Sequence, residues 1–257
     1  MDVTYLHWAC LSADRRRRSM TAKKNKHKHM RTKSLLLIPI LLLSISIQSQ
    51  ISHSNSKQFT HQDTLRGSIT PERAWWDLNY YHLDISVDPE TKSIQGKNTI
   101  RYSVLEPYQT LQIDLQAPMK LTKAVQDGKE LTVRKDGNAH FITLKKLQTI
   151  SEKQEEIEIS YEGQPRVAVR APWDGGISWK KDANGNDFIA SSCQGLGASV
   201  WWPNKDHMYD EVDSMKISVN VPKQLMNISN GRLESIEKQD NETTTYHWVV
   251  TNPINNY

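Results

Sequence analysis

Between Tyr81 and Thr251 apolar side chains keep returning at every second position, and that period commits the chain to strands. Tyr81, Leu83, Ile85 and Val87 alternate with His82, Asp84 and Ser86. A period of two sends one set to each face of a pleated strand, so one face can be buried while the other stays wet. The same reading covers Ile94 to Val104, Leu111 to Leu115, Ile157 to Tyr161, Met215 to Val221, Met226 to Glu237 and Thr243 to Thr251. Asp127-Gly128 and Asp136-Gly137 separate the shorter runs Leu121 to Val125, Leu131 to Val133 and Phe141 to Leu144. Asp-Gly supplies the positive φ angles that tight hairpin turns need. No stretch after residue 51 carries the 3.6-residue period of an amphipathic helix. Roughly eight to ten short strands with regular turns predict an all-β fold, a sandwich or saddle of antiparallel sheets.

The rhythm breaks between Val167 and Glu211. That segment holds five glycines, two prolines and four tryptophans, and it reads as irregular loops. Long loops on a rigid scaffold are where binding residues concentrate. Trp173, Trp179, Trp201 and Trp202 would suit a secreted carbohydrate-binding module if their flat faces were exposed. They would equally suit packing of the loops and of an interface with a following domain.

The N-terminal part is of a different kind. Residues 1 to 33 hold ten Lys/Arg against Asp2 and Asp14, a local surplus of +8 in a chain whose formal charge is +4, so the remainder carries −4. Nucleic-acid binding would need that charge on the folded surface, and here it precedes it. Leu35 to Ile47 is apolar for thirteen residues, the length of a secretory signal core and short of the about 20 that a spanning helix needs. An uncleaved anchor is the other reading of that run. Residues 1–29 are read as a basic disordered leader ahead of a self-sufficient start at Met30, 30–50 as a signal peptide, 51–71 as a flexible lead-in and 72–257 as the β domain. Export to the periplasm, the cell envelope or the exterior is the expected localisation, with no stable membrane span after signal removal. Cys10 leaves with the leader, so Cys193 stands alone and the fold has to be held by its core.

Particular residues then carry a resemblance. Tyr80 to Ile100, Gln112-Ile-Asp-Leu115 and Ile157 to Gly163 fall in the order and spacing of the opening strands of the aminopeptidase N family of gluzincin zinc peptidases, and Arg66 to Asp77 resembles the lead-in of bacterial members. The most specific piece is Ser191-Ser-Cys-Gln-Gly-Leu-Gly-Ala-Ser-Val-Trp-Trp-Pro-Asn-Lys-Asp206, in which Gln194, Ala198, Trp202, Pro203 and Asp206 fall on family positions. Ser199 stands where the family usually has Arg, Asn204 where Cys is frequent, and Met208 where Pro is common. The resemblance implies an N-terminal domain that gates a zinc aminopeptidase. Gln194 would accept hydrogen bonds from the free α-amino group of a peptide, with Gly195 as a weaker contact. It also implies a zinc ion, but in a catalytic domain that this chain lacks. Neither His-Glu-x-x-His nor Gly-x-Met-Glu-Asn occurs in the 257 residues, so the chain alone is expected to hold no cofactor and to hydrolyse nothing. Its expected partners are peptide N-termini and that catalytic domain.

Three other groupings weigh less. Asp206, Asp210, Glu211 and Asp213 lack the spacing of a calcium loop and read as a solvated acidic stretch. Cys193 with His207 or His247 reads as a small packed residue rather than a nucleophile and base. Asn227-Ile-Ser and Asn241-Glu-Thr are glycosylation sequons, meaningful only in a eukaryotic secretory host.

Overall fold

A computed structural model of the chain describes residues 4–7, 58–240 and 242–253. It divides into two units. The first comprises 1–10 and 61–257 and contains every element named below. Of the second, 11–60, only residues 58–60 are described, and they form no helix or strand. The signal peptide expected at 30–50 and nearly all of the expected basic leader lie outside the described residues.

The first unit begins with β1 (Thr4–His7), a short strand within the stretch read as leader, followed by two short helices, α1 (His61–Gly67) and α2 (Pro71–Ala74). Then come β2 (Trp76–Asp88), β3 (Ser93–Val104), β4 (Tyr108–Asp114), β5 (Lys120–Gln126), β6 (Lys129–Glu130), β7 (Thr132–Asp136), β8 (Ala139–Gln148) and β9 (Glu155–Gly163). The second half holds β10 (Gly176–Lys181), β11 (Asp187–Ser192), a 3-10 turn Ala198–Val200, β12 (Ser214–Pro222), β13 (Leu225–Ile228), β14 (Arg232–Lys238) and β15 (Thr243–Val250).

Three open sheets result. The largest has eight strands in the order β14-β15-β12-β2-β3-β9-β5-β6; the others are β10-β11-β1-β13 and β4-β8-β7. All three contribute to one apolar core. Leu83, Ile85, Ile100 and Ile159 come from the large sheet, Leu111, Ile113 and Ile142 from the three-stranded sheet, and Ile177, Ile189 and Leu225 from the remaining one. The alternation behaves as read. Tyr81, Leu83, Ile85 and Val87 are buried, while His82, Asp84 and Ser86 lie half-covered on the opposite face. The first Asp-Gly pair turns with both residues at positive φ, Asp127 at 51° and Gly128 at 71°. In the second hairpin Asp136 pairs with Ala139, so Gly137, at φ 60°, is the first residue of the turn proper.

The mostly-β expectation holds, and the structure departs from the finer reading at four places. The stretch Met226 to Glu237 is two strands, β13 and β14, broken by a turn at Gly231 (φ 88°). β10 and β11 form a hairpin inside the segment read as irregular loop; Gly176, Gly185 and Asn186 around it masked the period. β12 lies parallel to β2 in an otherwise antiparallel large sheet, a pairing between strands more than a hundred residues apart. Finally, the lead-in read as flexible over 51–71 is helical at His61–Gly67, because that helix lends its last carbonyls to a buried arginine of the β domain.

Candidate functional site

The hairpin β10–β11 sets the position of the Gln194 turn. Gly176 pairs with Ser192 at its open end, so the residues before β10 and after β11 leave side by side. Just beyond, the chain turns through Cys193 to Gly197, with Gly197 N–H donating to the Cys193 carbonyl at 2.8 Å and Leu196 N–H at 3.2 Å. Gly195 and Gly197 take φ 73° and 80°. Gly197 has a second reason to lack a side chain: a Cβ there would lie 2.2 Å from Asp206 Oδ2.

Several groups hold this turn from outside. Arg66 Nη2, at the end of α1, donates to the Gly195 carbonyl at 2.8 Å. Gln116 Nε2 donates to the Leu196 carbonyl at 2.6 Å and to Ser199 Oγ at 2.9 Å. Ser199 Oγ in turn donates to Asp206 Oδ2 at 2.5 Å. Ser199 is thus a link between Gln116 and the half-covered Asp206 carboxylate. Gln194 itself is half-exposed and makes no side-chain hydrogen bond to any described residue. Its amide oxygen and NH2 are free to meet a ligand, on a backbone that cannot easily move away.

Below the turn lies an ionic floor that sequence reasoning missed. Arg73, fully buried in α2, meets Asp114 of β4 with Nη2 to Oδ2 at 2.5 Å. Arg73 Nη1 donates to the carbonyls of Leu65, Arg66 and Ser68, which caps α1. Gln112 Nε2 donates to Asp114 Oδ1 at 3.0 Å and accepts, through Oε1, from Thr70 Oγ1 at 2.8 Å. Asn204 joins its backbone to Asp114 in both directions. Burial drives the Asp114 carboxyl above its usual range even though Arg73 pulls the other way.

A second buried pair stands beside the first. Lys205 Nζ contacts Asp210 Oδ2, donates to the Trp76 carbonyl at 2.6 Å and sits 3.9 Å from the Trp76 ring centroid. Burial lowers the Lys205 ammonium to about 8 and raises the Asp210 carboxyl, outweighing their mutual attraction. Asp210 also accepts from Leu78 N–H, and the Tyr209 hydroxyl donates to the Arg73 carbonyl at 2.5 Å. The acidic stretch read as solvated is therefore corrected: Asp206 and Asp210 are drawn inward by Ser199 and Lys205, and Glu211 and Asp213 alone stay at the surface. The sequence offered one signal for this floor, since Thr70-Pro71-Glu72 is the signature of a helix start.

Four of the described histidines are committed elsewhere, and His140 is buried in β8. His61 pairs with Asp136, His82 and His247 flank Ser218, and His207 contacts the Gly67 carbonyl. Among the described residues no three His, Cys, Asp or Glu side chains converge on a common point where a metal could sit. They do not fit a zinc centre. Cys193 packs against the apolar core, its thiol half-covered. The tryptophans do not form a shared flat face: Trp201 and Trp202 are buried, Trp179 is half-buried and Trp173 alone is exposed. That arrangement disfavours a sugar-stacking platform. Asn227 is buried and accepts from Trp248 Nε1, so its sequon is closed to a glycan; Asn241 lies outside the described residues.

Residues 78–257 match the model of the peptidase M1 N-terminal domain. The chain belongs to that family. Its fold resembles a mutant two-domain M1 zinc metallopeptidase bound to L-arginine, at 20% identity and TM-score 0.59, over 72% of this chain and 41% of that one. It also resembles a mutant M1 zinc metallopeptidase from Deinococcus radiodurans bound to a Tyr-Ser-Ala substrate, at 19% identity and TM-score 0.57, over 69% and 40%. Yeast LTA4 hydrolase in complex with bestatin matches at 15% identity and TM-score 0.54, over 84% and 31%. At these identities the likeness is one of fold. The M1 N-terminal domain seen here spans about two fifths of the metallopeptidase chains it resembles. A comparison with curated proteins finds no match.

Proposed function

We propose that this M1 N-terminal domain is the substrate-gating part of an exported zinc aminopeptidase that removes N-terminal residues from peptides. Gln194 accepts a hydrogen bond from the free α-amino group of the substrate, and the backbone at Gly195 assists more weakly. The observation that carries the reading is the Gln194 amide, half-exposed and without a side-chain hydrogen bond to the described residues, on a turn fixed by Arg66, Gln116 and two positive-φ glycines. A preorganised acceptor loses little entropy on binding an ammonium. Zinc and the hydrolytic groups belong to a catalytic domain outside this sequence, to which this domain is the partner. The basic run followed by thirteen apolar residues supports export to the periplasm, the envelope or beyond.

The test uses the enzyme that joins this chain to its catalytic domain. Gln194→Glu turns a hydrogen bond with one charged partner into an ion pair with two, so KM for substrates with a free amino group should fall. Gln194→Ala should raise it by roughly ten-fold, the equivalent of one lost hydrogen bond to a charged group. Unchanged KM in both variants would remove Gln194 from the site. Sequencing the N-terminus of the secreted product tests export.

A further inference from the structure

The second Asp-Gly hairpin does more than reverse the chain between β7 and β8. Asp136 Oδ1 accepts from Gln62 Nε2 at 3.0 Å, and Asp136 Oδ2 lies 3.0 Å from His61 Nε2. Asn138 N–H donates to Gln62 Oε1 at 3.3 Å. Gly137 lies between the two, and a Cβ there would fall 1.8 Å from the same Gln62 oxygen. The Gln62 amide is thus seated on the turn, its donor and its acceptor both met and no side chain beneath it.

Two arms run from this hairpin to the carbonyls that follow Gln194. The first is α1. It spans seven residues and buries none of them, so it is helical because its ends are held rather than by its own stability. In an α-helix the N–H of one residue bonds to the carbonyl four residues earlier, which joins Arg66 to Gln62. Arg66 Nη2 then holds the Gly195 carbonyl at 2.8 Å. The second arm is shorter. Asn138 accepts Leu115 N–H on its carbonyl at 2.9 Å and Ala117 N–H on Oδ1 at 3.3 Å. Gln116, between those two, sends its Nε2 to the Leu196 carbonyl at 2.6 Å. The Gln194 turn needs such holding, because a Cβ at Gly195 would meet nothing within 4 Å and a glycine left unpacked is free in φ and ψ. We infer that Gln62 and Asn138 are positioning residues for Gln194, fixing from the Asp136–Gly137–Asn138 turn the two carbonyls that follow it. This rests on the reading of Gln194 as the amine acceptor.

The experiment reads amide hydrogen exchange at residues 194–197 of the joined enzyme, together with KM and kcat for substrates with a free amino group. Gln62→Ala keeps a good helix former in place and removes both contacts with the hairpin. Exchange at Gly195 and Leu196 should quicken, and KM should rise about three-fold with kcat and melting temperature unchanged. Asn138→Ala should act in the same direction through the second arm. In a Gln194→Ala background Gln62→Ala should leave KM unmoved, because the side chain it positions is gone. A rise in KM that persists in that background, or unchanged exchange in both variants, would overturn the inference. So would faster exchange with no change in KM where Gln194→Ala alone raises it. If Gln194→Ala alone does nothing, the amine reading fails, and the hold of the hairpin on the turn is decided by exchange.

Discussion

Arg73 and Asp114 meet at 2.5 Å inside the protein, one from a four-residue helix and the other from a strand forty-one residues later. The pair pins the lead-in to the three-stranded sheet, and Gln112 Nε2 and Asp206 N–H donate to the same carboxylate. Removing one member leaves a buried charge uncompensated, which costs about 3–5 kcal/mol. Arg73→Met should therefore lower stability by that amount in urea unfolding. It should also expose the bond after Arg66 to limited proteolysis, because α1 loses its carbonyl cap. Unfolding midpoints within error of wild type would show that the pair contributes nothing.

Lys205 and Asp210 invite the opposite test. Both are shifted toward their neutral forms, the ammonium to about 8, which means that burial costs more than their attraction returns. Lys205→Met alone should destabilise by about 3–5 kcal/mol, whereas Lys205→Met with Asp210→Leu should recover most of that loss. A double-mutant cycle reads the coupling directly. Additive losses would mean that the two residues act independently.

His140 of β8 is buried, and burial with the nearby Lys135 charge lowers its imidazole to about 4. The unfolded chain takes up a proton near pH 6.5 that the folded one refuses until about pH 4. Stability from this group is therefore complete above 6.5 and falls by up to about 1.36 kcal/mol per pH unit on the way to 4. Buried carboxylates with raised values act in the opposite sense, so the comparison has to be with a variant. Between pH 7 and 5, His140→Leu should show a shallower decline of unfolding free energy than wild type. Parallel lines would sink the assignment.

Gly197 and Gly195 separate two kinds of glycine requirement. Both sit at positive φ, but a Cβ at Gly197 would collide with Asp206 Oδ2 while one at Gly195 would meet open space. Gly195→Ala should cost about 1 kcal/mol from backbone strain alone. Gly197→Ala should cost about 1–3 kcal/mol more and, in the joined enzyme, raise KM by displacing Gln194. Thermal melts of the two variants check the ranking; equal melting temperatures would refute it.

The pattern of Tyr81 to Val87 made β2 and its buried face legible from the sequence, and Asp127-Gly128 made the turn between β5 and β6 legible too. Those features depend on neighbours a few residues away: side-chain alternation and local φ preference. The Gln194 turn could be located by its resemblance, but what holds it could not. Arg73, Lys205 and Asp210 each look like surface charges in a linear reading, since a charged residue is normally exposed. Their burial is set by partners brought from 5 to 129 residues away, and Coulomb attraction and desolvation depend on that geometry alone. The parallel contact of β12 with β2 and the outward face of Trp173 belong to the same class. Sequence determined the strongly alternating strands such as β2 and the face they bury, because periodicity is local; tertiary structure decided which charges lie inside and which loops flank Gln194, because only folding sets the distances on which those energies depend.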